Sequence, residues 1–144
     1  MSVQTDIRYE GDLRCSATHG PSGRKLETDA PTDNHGRGET FSPTDLVATS
    51  LGACMLTIMG IVAEKDGVDI TGTTVHVVKE MAKSPRRRIG KLILTFSLPE
   101  GHRIPSRELD RLKRAAGACP VKGSLHPDIE LDVRFPAQDV RFPA

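Results

Sequence analysis

Three residues of this chain could do redox chemistry, the cysteines Cys15, Cys54 and Cys119. An odd number of cysteines argues against a structural disulfide framework and leaves reactive or simply buried thiols. A thiolate can attack the O–O bond of a peroxide and become a sulfenic acid, which a second thiol traps as a disulfide. Two cysteines on different helices would suit that cycle. Cys54 falls in the apolar run Leu46–Ala63, with Ser50 one helical turn before it and Thr57 almost one turn after. Hydroxyls at those positions can hydrogen-bond a charged sulfur. Cys119 precedes Pro120 at a predicted helix end, where a thiol is easier to move and expose.

Cys54 sits too far along its helix for the helix dipole to favour a thiolate, and apolar burial opposes one. An active Cys54 therefore needs a cation. Arg14, Arg24 and Arg37 are the candidates by position, with Arg37, in the loop before the helix, leading. The competing reading is an inert core thiol, as most buried cysteines are.

The other polar clusters point to less. The five histidines and three cysteines show no CxxC or HxxxH spacing, so no metal is expected. His19, His35 and His102 fall in loop or turn contexts; His126 follows Cys119 closely enough to serve as a proton donor. Arg86, Arg87 and Arg88 read as a solvated hairpin tip, with an anion or RNA contact as the alternative. Gly20-Pro21-Ser22-Gly23 matches a GxxG loop but is flanked by strands, so it reads as a turn. Glu108 and Asp110 are exposed helix carboxylates.

The elements that must position these residues follow from periodicity and punctuation. Val3–Glu10 and Leu13–Thr18 read as strands joined near Gly11-Asp12, and Lys25–Asp29 as a third. A polar loop spans Pro31–Thr40. A helix then starts with Ser42 as N-cap, Pro43 at its first position and Asp45 reaching back, and stops at Asp66-Gly67. Being apolar all round, it should be buried. Thr71–Met81 and Lys91–Leu98 read as strands around a turn at Ser84-Pro85. Ser106 is expected to cap a second helix reaching about Ala118, and Ile129–Phe135 to be a last strand. The pentapeptide Val-Arg-Phe-Pro-Ala occurs at Val133–Ala137 and again at Val140–Ala144, too few copies for a repeat architecture.

The order βββ-α-ββ-α-β predicts a single α+β domain over residues 1–144, with a mostly antiparallel sheet. Ala48, Gly52 and Gly60 form a stripe of small residues that could admit another helix, which predicts a two-fold dimer, with the chain's own second helix as the alternative occupant. Formal net charge is +1, giving no reason to expect nucleic acid or an anionic membrane as partner. No apolar stretch is expected to span a bilayer and no signal-peptide pattern opens the chain, so a cytoplasmic protein is expected.

Two motifs carry a resemblance. Phe41-Ser42-Pro43-Thr44-Asp45-Leu46-Val47-Ala48-Thr49-Ser50-Leu51-Gly52-Ala53-Cys54 resembles the central-helix signature of OsmC/Ohr proteins. Ala116-Gly117-Ala118-Cys119-Pro120-Val121 resembles their second-cysteine motif, and Tyr9-Glu10-Gly11-Asp12 is similar to the OsmC opening. The resemblance covers nearly the whole chain. It implies an OsmC-like fold with a buried central helix and an intertwined homodimer with active sites at the subunit interface. It implies Cys54 as peroxidatic and Cys119 as resolving cysteine in the reduction of organic hydroperoxides, a stress-defence activity. An external thiol, dihydrolipoyl in one branch, would be the reductant, with no bound cofactor. The well-understood branches carry a glutamate directly after the helix-start proline to hold a catalytic arginine; this chain has Thr44 there, with its acid one residue later at Asp45.

The expected function is thus a two-cysteine hydroperoxide reductase: Cys54 attacks, Cys119 resolves, and Arg37 supports the thiolate. Ser50, Met55, Ile58 and Met59 are the expected substrate contacts. Its competitors are a non-catalytic OsmC-fold dimer that binds a small apolar ligand or senses thiol state, and an RNA-contacting module built on Arg86–Arg88.

Overall fold

A computed structural model of the chain describes residues 1–135. They form two compact units that divide within the long helix, at Val47/Ala48.

In the first unit, β1 (Thr5–Gly11), β2 (Arg14–His19) and β3 (Lys25–Asp29) make an antiparallel sheet in chain order. The β1–β2 turn places Asp12 and Leu13 at φ 51° and 64°. Positive φ at both central residues matches the right-handed twist of a tight hairpin. A 3-10 turn at Thr32–Asn34 interrupts the following loop. The first helix, α1 (Pro43–Asp66), opens on the expected reciprocal cap. The backbone N–H of Ser42 donates to Asp45 Oδ2 at 2.9 Å, and that of Asp45 donates to Ser42 Oγ at 3.1 Å.

The second unit carries the rest of α1, then β4 (Thr74–Ala82), β5 (Arg88–Ser97), α2 (Ser106–Gly117), α3 (Pro120–Ser124) and β6 (Glu130–Arg134). A second sheet runs β4-β5-β6; β4 pairs antiparallel with β5, but β6 joins β5 in parallel. The architecture is therefore α+β with two three-stranded sheets rather than one, and the last strand departs from the antiparallel pattern. A return past α2 and α3 brings β6 in alongside β5 in the same direction, as a crossover connection does. β5 lies between its neighbours, and its Leu92, Leu94 and Phe96 are buried along one face, at 2 % exposure or less. Gly90 is the extra residue of a bulge, since Glu80 faces Lys91 and Met81 faces Ile89. A Cβ there would lie 2.9 Å from that of Ala82, so only glycine fits.

The core of this unit joins Leu51, Met55 and Met59 of α1 to that face of β5 and to Leu109, Leu112 and Ala116 of α2. Arg111 ties α2 to the end of α1 through Asp66, at 3.1 Å.

Three expectations need correction. Gly52 does not face another helix: a Cβ built on it would meet Val75 Cγ1 and Val77 Cγ2 of β4, each at 3.1 Å. The small residue lets the helix close on its own sheet. Within this chain Ala53, Thr57 and Ile61 line an exposed face of α1. Ser106 is the first residue of α2 and makes no cap; Pro105 holds the N-cap position with extended backbone. Finally, α1, with 24 residues and a mean hydropathy of 2.1, is by length and composition alone long and apolar enough to cross a membrane. Leu46 to Ala63 carries no charge. The core helix of a folded domain has the same composition, and the Leu51, Met55, Met59 and Ala63 stripe of α1 is buried against protein. The second copy of the terminal pentapeptide lies outside the described residues.

Candidate functional site

Cys54 and Cys119 meet in the second unit. α1 presents Cys54, half-buried, between its buried stripe and its exposed face. Cys119 is buried, at 3 % exposure, in the short link between α2 and α3. The two sulfurs are in hydrogen-bonding contact, and both cysteines are free thiols.

The local backbone explains how Cys119 is held. Pro120 does end α2, as expected, but it also opens α3, where a residue lacking an N–H fits the first helical position. That makes Cys119 the N-cap. The backbone N–H of Lys122 donates to Cys119 Sγ at 3.4 Å, and the N–H of Val121 also bonds the sulfur. Cysteine here takes the role that serine or aspartate usually plays.

The electrostatics of Cys119 are a contest. Burial raises its pKa above the ordinary 9.0, and the hydrogen bond to Cys54 raises it further, while the Lys122 and Val121 N–H groups pull it down. Burial wins, so the Cys119 thiol is held above its ordinary range, and its S–H is a donor available to the Cys54 sulfur. A thiolate on Cys54 would accept that bond. Together the pair has one accessible sulfur and one sheltered thiol that can donate to it.

The other predicted residues are placed as follows. Met55 and Met59 are core side chains, each 1 % exposed, and so are not accessible walls in this single chain. Ile58 is half-buried and Ser50 is exposed. Thr57 is turned away from sulfur chemistry, donating from Oγ1 to the Ala53 carbonyl at 2.8 Å. His126 is exposed in the loop after α3, where Nδ1 accepts from the Asp128 backbone N–H at 3.0 Å. Among the described residues no three His, Cys, Asp or Glu side chains gather as a metal ion requires. Cys15 lies on β2, half-buried.

The arginines separate within the first unit. Arg37 is half-exposed and pairs with Asp12 at 2.9 Å. Arg24 sits in the β2–β3 turn. Arg14 is the one held rigidly: its Nε and Nη2 donate to the two carboxylate oxygens of buried Asp29 at 2.7 and 2.9 Å, and Nη2 also reaches Glu39 at 3.1 Å. The Arg14 hydrogen bonds hold Asp29 below the usual carboxylate range despite its burial, and Asp29 in turn raises Arg14. Thr44 Oγ1 lies 3.2 Å from Ser42 Oγ.

Sequence reasoning missed two features, Asp29 as the anchor of Arg14 and the N–H groups of Val121 and Lys122 at the Cys119 sulfur. The second was signalled by Cys-Pro, the N-cap and first-position pair of a helix. The first had no local signal, because Arg14 and Asp29 meet only through β2–β3 pairing.

The comparisons with known proteins bear on the fold and the family. A candidate osmotic stress induced and detoxification response protein from Psychrobacter arcticus 273-4 is 44 % identical, with 92 % of this chain and 94 % of that chain covered and a TM-score of 0.85. An organic hydroperoxide resistance protein OsmC from Legionella pneumophila shares the fold at 14 % identity and a TM-score of 0.74, over 94 % of this chain and 96 % of that one. An OsmC-like protein of unknown function from Vibrio cholerae O1 does so at 12 % identity and 0.77, over 94 % and 99 %. No curated protein matches the chain. The family model described as OsmC-like protein matches residues 36–134, a span that holds both interacting thiols, and the chain belongs to the OsmC family.

Proposed function

We propose that the protein is a thiol-dependent peroxidase that reduces organic hydroperoxides through Cys54 and Cys119. The observation that carries this reading is the direct contact of two free thiols with unequal exposure. Cys54, the more accessible sulfur, attacks the O–O bond as a thiolate. The distal oxygen becomes the Cys54 sulfenic acid, and the alkoxide leaves with a proton as the alcohol. Cys119 then attacks the Cys54 sulfur; its proton departs with the hydroxyl as water, and a disulfide forms. An external dithiol, of the dihydrolipoyl type in the resemblance, restores both thiols and is itself oxidised. An arginine supports the thiolate. Arg37, favoured on sequence position, is half-exposed, whereas Arg14 has the anchored geometry that such a role requires.

The working unit proposed is a homodimer, supported by the uncovered Ala53, Thr57 and Ile61 face of α1, and the compartment proposed is the cytoplasm. Oxidative and osmotic stress defence is the setting proposed. The second reading is a non-catalytic OsmC-fold dimer that binds a small apolar ligand or senses thiol state. Thr44, in place of the glutamate that the resemblance calls for, favours it.

The test is intact mass and peptide mapping of the reduced protein, seconds after one equivalent of cumene hydroperoxide. Rapid loss of two hydrogens mapped to a Cys54–Cys119 link, with none in Cys54→Ser, is expected. Unchanged thiols, or oxidation confined to Cys15, would turn the assignment to the second reading.

A further inference from the structure

We infer that the last strand of the second sheet has two registers seven residues apart, and that the second copy of the terminal motif exchanges with the first for one seat beside β5. The shift slackens the link behind the helix that holds Cys119. The inference stands independently of the peroxidase reading.

The repeat extends to a hexapeptide. Asp-Val-Arg-Phe-Pro-Ala fills residues 132–137 and again 139–144, with Gln138 between the copies. The first copy completes β6. Its Val133 lies opposite Leu94 of β5, and its Arg134 opposite Thr95. Arg134 Nη2 donates to Asp132 Oδ2 at 2.6 Å, so the motif supplies both members of that ion pair. Phe135 stacks on Phe96 with ring centroids 4.8 Å apart, and Lys113 Nζ lies 5.5 Å from the Phe135 ring centroid. Met59, Leu109 and Leu112 complete the seat. The second copy lies outside the described residues, but Asp139, Val140, Arg141 and Phe142 repeat the side chains that fill this seat, in the same order.

Register ordinarily resists a slip because the slip changes which side chains face the core. A seven-residue shift here returns the same side chains to the seat, so only the flanks set its cost. Leu131, half-buried opposite Leu92, gives way to Gln138, and Glu130, paired with Lys91 at 3.5 Å, gives way to Ala137. Losing a half-buried leucine costs about tenfold in population. The ion pair is largely exposed and adds little. Pro136 falls at the start of an edge strand, where a missing N–H is tolerated. The connection from α3 lengthens from residues 125–129 to residues 125–136. Closure cost grows as the three-halves power of length, which gives about fourfold. The second register is thus disfavoured about fortyfold and holds a few per cent of the molecules. Its extra slack falls directly after α3, whose Val121 and Lys122 N–H groups meet the Cys119 sulfur.

The test uses full-length variants. Val133→Asp with Phe135→Asp bars the first copy from the seat, Val140→Asp with Phe142→Asp bars the second, and all four changes together bar both. Urea titration gives the folding constant of each. Barring the second copy should leave the constant unchanged. Barring the first should lower it by no more than about fortyfold, the register ratio. Barring both should lower it by about tenfold or more again, because carboxylates then face Leu94 and Phe96 with no substitute. Hydrogen exchange read by mass spectrometry locates the strand. With the first copy barred, protection should appear at residues 139–141 and fall at residues 121–125. An equal loss whether one or both copies are barred, or no protection at residues 139–141, would overturn the inference. Unchanged exchange at residues 121–125 would overturn the slackening behind Cys119. Protection at residues 139–141 that grows with protein concentration would put the second copy in another chain's seat and overturn exchange within one chain.

Discussion

Replacing Gly52 and Gly60 separately by alanine tests how α1 is seated, because one substitution on one helix should act with opposite signs. Alanine in place of glycine inside a helix gains about 1 kcal/mol from propensity alone. At Gly60 that is the whole effect, since a Cβ there meets nothing within 4 Å. At Gly52 the new methyl would lie 3.1 Å from both Val75 Cγ1 and Val77 Cγ2, well inside ordinary carbon–carbon contact. Both neighbours are β-branched and sit on a hydrogen-bonded strand, so they give way poorly. Overpacking of this kind costs about 1–3 kcal/mol. The net expectation is a loss of up to about 2 kcal/mol for Gly52→Ala and a gain of about 1 kcal/mol for Gly60→Ala. With a urea slope of about 1–3 kcal/mol per molar, the two midpoints should separate by roughly 0.3–3 M, with Gly60→Ala the higher. Urea titration followed by circular dichroism reads this directly. Gly52→Ala should also slow formation of the Cys54–Cys119 disulfide by diamide, since lifting α1 from β4 moves Cys54, two residues on. Equal shifts in the same direction would refute the seating of α1 described above. A loss at Gly60 that grew with protein concentration would instead place a second chain over that face.

Three further outcomes follow from the same structure. Ser42→Ala removes the reciprocal cap with Asp45 and should cost about 0.5–2 kcal/mol in urea denaturation. Asp29 has its carboxyl pKa depressed by Arg14, so its stabilising share is complete above the ordinary aspartate pKa of 3.8 and is lost as pH falls through the folded value below it. Acid unfolding should therefore steepen below about pH 4, and Asp29→Asn should flatten that limb while lowering stability at neutral pH. Cys119, whose pKa is raised, should resist iodoacetamide at pH 9 while Cys54 reacts, as read by peptide mapping; equal labelling would contradict the burial of Cys119.

How much of this was legible in the sequence varies with the range of the interactions. Ser42, Pro43 and Asp45 are within one helical turn of each other, so their types and spacing suffice to place the start of α1, and Gly67, at φ 71°, marks its end. The hairpins of both sheets were signalled by Gly, Asp and Pro in the same local way. Both cysteines stood out by type and by the motifs around them, which also carried the family. What local pattern could not decide was which surfaces meet. The stripe of Ala48, Gly52 and Gly60 reads equally well as a seat for another helix or for a sheet, because small residues report close approach without naming the partner; Val75 and Val77 decide it at Gly52. Met55 and Met59 read as pocket walls from composition alone, and only the packing of α1 on β5 and α2 makes them core. The contact between Cys54 and Cys119, and the anchoring of Arg14 by Asp29, join residues far apart in the chain. Helical and strand periods fix which way a side chain faces along its own element. What it faces depends on how that element packs, and only the tertiary structure supplies that.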